Sequence, residues 1–305
     1  IFGAIGPLGR SLAQFCLDSN DLVVVVGQTS KDSLASMQNW HTNALGTLCD
    51  IRCSASVERV ITLAYSHFKR INVIVNCSEY GVIGACEDQD EHELRDQFET
   101  NFMGTLHIIQ ASLPHLRKQK SGRYHIYNTI PGSLGIPGLG PFYATKNAIE
   151  GLLETMLYEV NQFDIKVTLI ECGWIHRDML KCDTKVSPTV TSVWGDFIIK
   201  SPSEPYSQLN SPALHTARMI QWLGDKKPTS IIKCADLGWQ LGHCSYPPSR
   251  LYLGSYAIES ARDRMRSLVE ELEDWTHLHF PITGESLSSE DSEERRERED
   301  SAEKP

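Results

Sequence analysis

Short runs of β-branched residues alternate with longer amphipathic stretches over the first 175 residues of this 305-residue chain. The runs lie near residues 1–3, 22–27, 47–51, 71–77, 123–129 and 166–172, and the stretches near 8–18, 56–69, 90–118 and 142–162. Strands that alternate with helices form a parallel sheet covered by helices on both faces. The pattern therefore predicts an α/β fold with a doubly wound parallel sheet, in three layers.

The alternation stops after this region. Residues 178–210 are rich in Ser, Pro and Thr, which predicts a loop or lid. Residues 245–275 contain the short run "SRLYLG" and an amphipathic stretch, so we expect them to supply a last strand and a C-terminal helix to one domain spanning 1–282. Residues 283–305 are charged and rich in Ser, and this composition predicts a disordered acidic tail.

Charge and hydropathy exclude two classes of partner. The net charge is −10, and residues 284–305 contribute −5 of it through nine acidic and four basic residues, so the remaining body is only mildly acidic. Such a body does not favour nucleic-acid binding. The longest strongly apolar run, "LVVVV" at 22–26, is too short to cross a bilayer. We expect neither a nucleic-acid nor a membrane partner.

The cysteine and histidine patterns bear on location and metals. The nine cysteines are scattered, odd in number and without a CxxC pair, which favours reduced thiols and a cytoplasmic protein over a disulfide framework or a zinc site. The eleven histidines show no HExxH or paired-ligand spacing. The sequence therefore predicts no metal site.

The segment "GAIGPLGR" places Gly3, Gly6 and Gly9 between the first strand and the first helix. Glycines at such a junction let the backbone approach a pyrophosphate, whose charge then lies at the helix N-terminus. A tight turn without a ligand is the alternative interpretation. Because a strand normally has about five residues and only Ile1 and Phe2 precede the turn, we also expect residues to be missing ahead of Ile1.

Four further features follow in order along the chain. Asp50 comes after the third strand, "NCSEYG" begins at Asn76 after the fourth, "ETNFMG" lies inside a long helix, and "YATK" opens another. With the glycine turn, they resemble the short-chain dehydrogenase/reductase family over roughly residues 1–180, with a looser likeness over 245–275. The resemblance implies a Rossmann-type fold and hydride transfer with a nicotinamide cofactor.

In that family a tyrosine protonates the substrate carbonyl, and a lysine four residues later lowers the tyrosine pKa and holds the nicotinamide ribose. A serine thirteen residues before the tyrosine orients the carbonyl, and an asparagine on the preceding helix completes a proton relay. The resemblance assigns these last three roles to Lys146, Thr129 and Asn101. The tyrosine position itself is occupied by Phe142, and Tyr143 follows it.

Two interpretations of Tyr143 stay open. One residue along a helix is a rotation of about 100°, which turns Tyr143 away from the position of Phe142. Residues three apart nevertheless share a face, so an irregular first turn could bring the hydroxyl back toward Lys146. Tyr143 is therefore either a displaced proton donor or a packing residue.

The cofactor residues follow from the same resemblance. Asp50 matches the aspartate that binds the adenine amino group, and Asn76 opens the family's Asn-Asn-Ala-Gly segment, in which Glu79 replaces the glycine. Gln28 is a donor near the adenosine ribose, and "GQTSK" contains no acid to accept its hydroxyls. We therefore expect NADP to be preferred over NAD. Pro7 in the middle glycine's position is a departure from the family pattern.

These features predict an NADP-preferring oxidoreductase that acts on a carbonyl or secondary alcohol. Trp194, Phe197 and Tyr206 in the lid favour an apolar substrate. The alternative is a catalytically silent relative that serves as a nucleotide-binding or protein-interaction scaffold, because Phe142 and Glu79 depart from the family where its chemistry is done. The resemblance also implies a homodimer or homotetramer built on the helices at 90–118 and 142–162.

Overall fold

The structure, a computed structural model, describes residues 1–28, 40–129, 135–174, 189–191, 196–207, 211–226 and 229–278. The chain forms two compact units, Ile1–Asp263 and Arg264–Pro305. The first contains the sheet and the candidate site. The acidic tail at 283–305 and the lid residue Trp194 lie outside the described residues.

The described helices and strands alternate through most of the chain. The helices are α1 (Pro7–Asp18), α2 (Ser54–Phe68), α3 (Glu91–Phe98), α4 (Gly104–Gln119), α5 (Gly140–Val160), α6 (Pro212–Lys226), α7 (Ile231–His243) and α8 (Ser255–Asp274). The strands are β1 (Val23–Gly27), β2 (Ala44–Leu48), β3 (Val73–Asn76), β4 (Gly81–Ile83), β5 (Gly122–Thr129), β6 (Ile165–Cys172), β7 (Thr189–Thr191), β8 (Asp196–Ile199) and β9 (Arg250–Leu253).

The main sheet is parallel. Strands β3, β5, β6 and β9 pair in that order, and β1 pairs with β2. Phe2 joins the two groups, because it forms parallel bridges to Val26 on β1 and to Asn76 on β3. The result is the doubly wound α/β arrangement that the alternation predicts. The carboxyl ends of these strands share one edge, where ligands of such sheets bind.

Helices cover both faces of this sheet. On one face Ile74, Ile126 and Leu169 pack with residues of α2, α4 and α5. On the other, Val75 and Ile170, which are the next residues along their strands, pack with residues of α1 and α7. Successive strand residues point to opposite faces. A strand that is buried on both faces therefore has a continuous run of apolar residues in its sequence. This explains why the apolar runs, rather than a two-residue period, located the strands.

Several boundaries differ from the sequence prediction. The third predicted strand, near 47–51, begins three residues earlier as β2, because Ala44–Leu48 is the stretch that pairs with β1. The helix predicted at 90–118 is interrupted by a π-helical segment, Glu99–Met103. Helix α7 was not predicted, although Ser230 caps its N-terminus and apolar residues recur every three or four positions. Its two internal glycines concealed the pattern.

Part of the predicted lid at 178–210 is ordered as strands. β8 pairs parallel with β4 and antiparallel with β7, which gives a second sheet of three described strands. Phe197 on β8 is buried to 1% exposure and packs against residues of α5 and α6. Thr189–Thr191 and Asp196–Ile199 are therefore strands rather than loop, because β8 pairs with β4 and β7 pairs with β8.

Glu171 on β6 is a fully buried carboxyl group in this fold. Its Oε1 lies 3.3 Å from the Arg250 guanidinium, which also binds Glu150 and Glu154. Burial raises the pKa of Glu171 from 4.5 to about 8, although Arg250 acts in the opposite direction. The folded protein consequently binds a proton at Glu171 at pH values where the unfolded chain has released it.

We expect Glu171 to make the free energy of unfolding fall as pH rises from about 4.5 to about 8. An acid whose pKa is raised on folding stabilises the protein below its unfolded pKa, and that contribution is lost up to the folded pKa, at about 1.4 kcal/mol per pH unit. Glu171→Gln should flatten this part of the profile in urea denaturation, whereas exposed Glu58→Gln should leave it unchanged. An equally steep profile in Glu171→Gln would contradict the assignment.

Candidate functional site

The glycine turn brings the start of α1 close to the loop after β3. Gly3 has φ +73°, and a Cβ there would lie 2.6 Å from the carbonyl carbon of Cys77. A Cβ on Gly9 would lie 2.3 Å from the Gly3 oxygen. Gly6 precedes α1, and Pro7 opens the helix without a backbone N–H. The turn is thus closely packed, and it offers one donor fewer to an anion than a glycine at position 7 would.

The contact at Gly9 predicts a large loss of stability on substitution. Gly9→Ala forces the turn apart, because the new methyl group meets backbone rather than a flexible side chain, and we expect about 2–3 kcal/mol of destabilisation. The matched control is Gly151→Ala on α5, where a Cβ meets nothing within 4 Å and should stabilise the helix by about 0.5–1 kcal/mol. Equal free energies of unfolding for the two variants would contradict this packing.

Asn76 and Asn101 are both buried, and both form side-chain hydrogen bonds within the protein. Asn76 donates to Thr105 Oγ1 at 3.0 Å and accepts from the Ser78 N–H at 3.0 Å. Asn101 exchanges hydrogen bonds with the backbone of Tyr80, accepting at 2.9 Å and donating at 2.8 Å. These bonds fix the loop after β3 against the helix that follows it.

Asn101 also connects this loop to α5. It lies in the π-helical segment Glu99–Met103, and its Nδ2 donates to Thr145 Oγ1 at 2.9 Å. Thr145 in turn donates to the Phe142 carbonyl at 2.7 Å. Single-turn π segments occur frequently at functional sites. Asn101 thus lies beside the start of α5, in contact with Thr145, the neighbour of Lys146.

Lys146 forms a buried ion pair with Glu79. Its Nζ lies 2.9 Å from Glu79 Oε2, and the two side chains are 1% and 3% exposed. A charge in such an environment is held only when it is paired, because removing either partner leaves the other desolvated and uncompensated. The Glu79 carboxylate is therefore the charge partner of the buried Lys146 ammonium.

Phe142 completes the surroundings of this lysine. It is fully buried, and the Lys146 ammonium lies 5.1 Å from the centroid of its ring, a cation–π distance. A Cβ on Gly81 would lie 3.0 Å from the same ring. Phe142 therefore presents a ring without a hydroxyl to Lys146.

Tyr143 lies beside Phe142 in an apolar cluster. It is 7% exposed, its ring centroid is 5.8 Å from that of Phe142, and Trp174 and Phe197 belong to the same cluster. Burial raises the pKa of Tyr143 well above its usual value, and nearby Tyr256 and the Glu79 carboxylate raise it further. This is the opposite of the lowered pKa that an adjacent lysine would give.

Two further predicted site residues are described only in part. Thr129 ends β5, where its backbone pairs with Cys172 on β6, and its side chain lies outside the described atoms. Gln28 follows β1 and is exposed, and the residues after it, 29–39, lie outside the described part of the chain. Both residues lie at the carboxyl edge of the sheet.

Asp50 follows β2 at the same edge. Arg52 donates to both of its carboxylate oxygens, from Nε to Oδ1 at 3.0 Å and from NH2 to Oδ2 at 2.9 Å, and its backbone N–H adds a third bond at 3.0 Å. These bonds lower the pKa of Asp50. The pair is about 40% exposed, so water and an incoming ligand can compete for it.

Aromatic rings pack around Phe142. Phe197 meets Phe142 edge-on at 4.9 Å between centroids, and Trp174 lies 6.3 Å from Phe197. Trp174 is buried, and its indole nitrogen has no hydrogen-bond partner among the described residues.

Sequence reasoning missed the pairing of Glu79 with Lys146 and the bridging position of Thr145. The unusual glutamate in "NCSE" was visible, but the partner lies 67 residues further along the chain (146 − 79).

In the described residues no cluster of three or more His, Cys, Asp or Glu side chains could hold a metal ion. No helix in the same residues is long and apolar enough to cross a membrane.

The parallel sheet, the glycine turn and the Asn101–Lys146 arrangement at its carboxyl edge define a doubly wound α/β protein of the nucleotide-binding type. The sequence model of the short chain dehydrogenase family matches residues 1–186. The chain therefore belongs to the short-chain dehydrogenase family.

Individual relatives agree with this assignment. Over 284 residues, which are 91% of this chain and 96% of the relative, the sequence is 27% identical to "Oxidoreductase BOA17" of Botryotinia fuckeliana. A short-chain dehydrogenase from Streptomyces avermitilis has a similar fold, with a TM-score of 0.75 and 24% identity over 91% of this chain and 96% of that one. A short-chain dehydrogenase from Burkholderia phymatum, solved with NAD, gives a TM-score of 0.70 and 17% identity over 94% and 96%.

Proposed function

We propose that the chain is an NADP-preferring oxidoreductase that transfers hydride between a nicotinamide cofactor and a carbonyl or secondary alcohol. The observation that carries this proposal is the placement of Lys146, a buried ammonium at the carboxyl edge of the sheet beside the Asn101–Thr145 hydrogen bond. The oxidoreductase from Botryotinia fuckeliana, which is similar along nearly the whole chain, supports it.

The preference for NADP rests on the charges around the glycine turn. Arg10 lies in the first turns of α1, and its guanidinium stacks 5.3 Å from the centroid of the Trp40 ring. The sequence after β1 has Gln28 and no acid as far as residue 31. A 2′-phosphate is favoured by a nearby cation and disfavoured by a carboxylate. Gly3, Gly6 and Gly9 would receive the pyrophosphate, and Asp50 and Asn76 would contact the adenine and the adjacent backbone.

Cofactor binding requires a change at Glu79. The ribose hydroxyls and the Glu79 carboxylate compete for the same ammonium, and an unpaired buried carboxylate is costly. Glu79 must therefore turn toward water, or take up a proton, when the cofactor binds. This competition should make cofactor affinity weak in the unmodified protein.

The proton donor in this proposal is Tyr143. Burial keeps its phenol protonated throughout the neutral range, because its pKa is raised. A protonated phenol can give its proton to an alkoxide, which is the stronger base, but it accepts a proton poorly in the reverse reaction. We therefore propose that the protein works as a carbonyl reductase rather than as an alcohol dehydrogenase, with Thr129 orienting the carbonyl and Asn101 in the relay.

A second candidate function is favoured by the contacts of Lys146. Phe142 and Glu79 together surround this ammonium, and Tyr143 faces an apolar cluster. A protein in which Lys146 and Tyr143 keep these contacts lacks the lysine–tyrosine pair that activates the proton donor. The chain would then be a catalytically silent member of its family that acts as a scaffold.

The experiment that separates the two functions follows NADPH oxidation with a panel of apolar aldehydes and ketones. The reductase proposal predicts turnover with NADPH, slower turnover with NADH, and a loss of at least about 100-fold in Tyr143→Phe. Exposed Tyr158→Phe is the matched control and should match wild type. If no carbonyl is reduced, or if Tyr143→Phe is as active as wild type, the reductase proposal is wrong.

Three finer proposals accompany this function. The aromatic cluster around Phe197 supports an apolar substrate. The eight described cysteines are all free thiols, which supports a cytoplasmic location. The long helices α4 and α5 would form the interface of a homodimer or homotetramer, and size-exclusion chromatography with light scattering would test this assembly.

A further inference from the structure

Helix α8 carries exposed apolar side chains along one face. Met265, Leu268, Leu272 and Trp275 recur at intervals of three and four residues, which places them on the same side of a helix. The Trp275 N–H still donates to the Glu271 carbonyl at 3.3 Å, so the helical geometry continues through Trp275. The four apolar side chains are between 41% and 60% exposed. We call these four residues the α8 row.

The fold of the described residues does not use the α8 row. The buried residues of α8 are Ala257 and Ser260, and both precede the row. No residue of the row belongs to the apolar clusters that the described part of the chain forms. A contiguous apolar surface that stays exposed on a folded protein marks an interaction site. The row therefore indicates a partner.

The charges of α8 are divided between its two halves. Residues 255–266 contain three arginines, Glu259 and Asp263, a net charge of +1, whereas residues 267–274 contain four acidic residues and no basic one, a net charge of −4. This order is the reverse of the one that the helix dipole favours. The isolated helix therefore does not explain it. A second helix that runs in the opposite direction does, because it places the basic half of each helix against the acidic half of the other.

An antiparallel second copy of α8 matches both the row and the charges. In such a pair the positions that flank the apolar seam face their equivalents on the other helix, and the two-fold axis makes every contact occur twice. When Met265 packs on Leu268 of the second copy, Arg264 lies opposite Glu271 of the second copy. A shift of one heptad in either direction places Arg264 or Glu271 opposite itself. These two flanking charges therefore select one register.

Other occupants match the row less well. A parallel second copy would place Arg264 opposite Val269 and leave both flanking charges unpaired. Apart from its final proline, the segment 283–305 of the same chain has only Leu287 and Ala302 as apolar residues, too few to cover the row. Neither flanking charge forms an ion pair with another described residue. Both are therefore available to a second copy.

We propose that α8 is a self-association surface, on which a second copy of this chain binds antiparallel, row against row, with Arg264 paired to Glu271 of the other copy. In this register the helices overlap from Ile258 to Trp275, which is about 27 Å at about 1.5 Å per residue. An interface of this length is small, so we expect a dissociation constant in the micromolar range. The surface is distinct from α4 and α5 and does not depend on the proposed function.

The first test is sedimentation equilibrium of the full chain at about 1 to 100 µM, a range that spans the expected dissociation constant. The average mass of wild type should rise with concentration, and Leu268→Asp should remove this rise because it brings a carboxylate into the apolar seam. The melting temperature should change little, since Leu268 is exposed. Ile232→Asp on α7, another exposed apolar position, is the control and should associate like wild type. Equal masses of wild type and Leu268→Asp at every concentration overturn the proposal.

The second test exchanges the flanking charges. Arg264→Glu and Glu271→Arg each create two like-charge contacts, so each should weaken self-association by at least about tenfold. An equimolar mixture of the two variants restores opposite charges at both contacts and should associate about as tightly as wild type. Glu270→Arg makes the same change of charge on the side of α8 away from the row, and it should leave association unchanged. A mixture that associates no more tightly than either variant alone overturns the antiparallel pairing.

Discussion

Replacing Glu79 with glycine should increase the affinity for NADPH by at least about tenfold, corresponding to about 1.4 kcal/mol. The substitution removes a carboxylate that pairs with Lys146 at 2.9 Å and restores the residue type of the family at that position. Lys146 is then a buried charge without its partner, and the ribose hydroxyls of the cofactor can satisfy it. Isothermal titration calorimetry with NADPH, followed by NADH, measures the change.

The same variant should have a characteristic stability profile. Loss of one partner of a buried ion pair destabilises a protein by about 3–5 kcal/mol, so the melting temperature of Glu79→Gly should fall without ligand and recover with saturating NADPH. Glu79→Gln keeps the shape but removes the charge, and it should give an intermediate affinity. Glu93→Gln, which breaks the partly exposed pair with Lys200, is the matched control and should leave NADPH affinity unchanged.

An unchanged affinity in Glu79→Gly would show that Lys146 does not contact the cofactor. The glycine turn with Pro7 would then be the remaining candidate for weak binding. If Glu79→Gly fails to fold, Glu79→Gln still tests the change in affinity, because glutamine retains the packing of the wild-type side chain.

Phe142→Tyr should raise the rate of carbonyl reduction by about 100-fold or more, the usual effect of a positioned general acid. The new hydroxyl extends from a ring whose centroid is 5.1 Å from the Lys146 ammonium, and an adjacent cation lowers the pKa of a phenol. The measurement is the steady-state rate of NADPH oxidation in Phe142→Tyr, in Glu79→Gly and in the double variant. We expect the double variant to be the most active.

The control for this gain is Phe142→Leu, which keeps the position apolar and should not gain activity. Combining Phe142→Tyr with Tyr143→Phe shows which phenol donates the proton. If the combination keeps the gain, the hydroxyl at position 142 is the donor. If Phe142→Tyr is no more active than wild type even in the Glu79→Gly background, the geometry around Lys146 is not that of a proton-transfer site.

The sequence was informative wherever a local rule applied. Gly3 needs a positive φ, Lys146 lies four residues after Phe142, and Asn101 lies in the helix before β5, and each of these statements can be read from spacing. The strand positions followed from apolar runs that are buried on both faces. Helix α7 and the strands of the second sheet escaped prediction because their signals are short or interrupted by glycine.

The candidate site required contacts between distant segments. Glu79 could be recognised as an unusual residue near a cofactor, but not as the partner of Lys146. Tyr143 left two interpretations open because rotation about the helix axis depends on how the first turn of α5 is packed. The structure directs it into the cluster with Trp174 and Phe197, where burial raises its pKa.

The sequence by itself therefore determined the fold class, the order of the motifs and the spacing that places Phe142 four residues before Lys146. These depend on periodicity and spacing along a single chain. Sterics and hydrophobic burial determine directly which periodic segments form helices and which form strands. Only the tertiary structure decided the electrostatic state of the site, because the pairing of Lys146 with Glu79 and the burial of Tyr143 depend on which residues meet in three dimensions. Charge interactions change steeply with distance and with desolvation, and neither quantity is encoded in the spacing of residues along the chain.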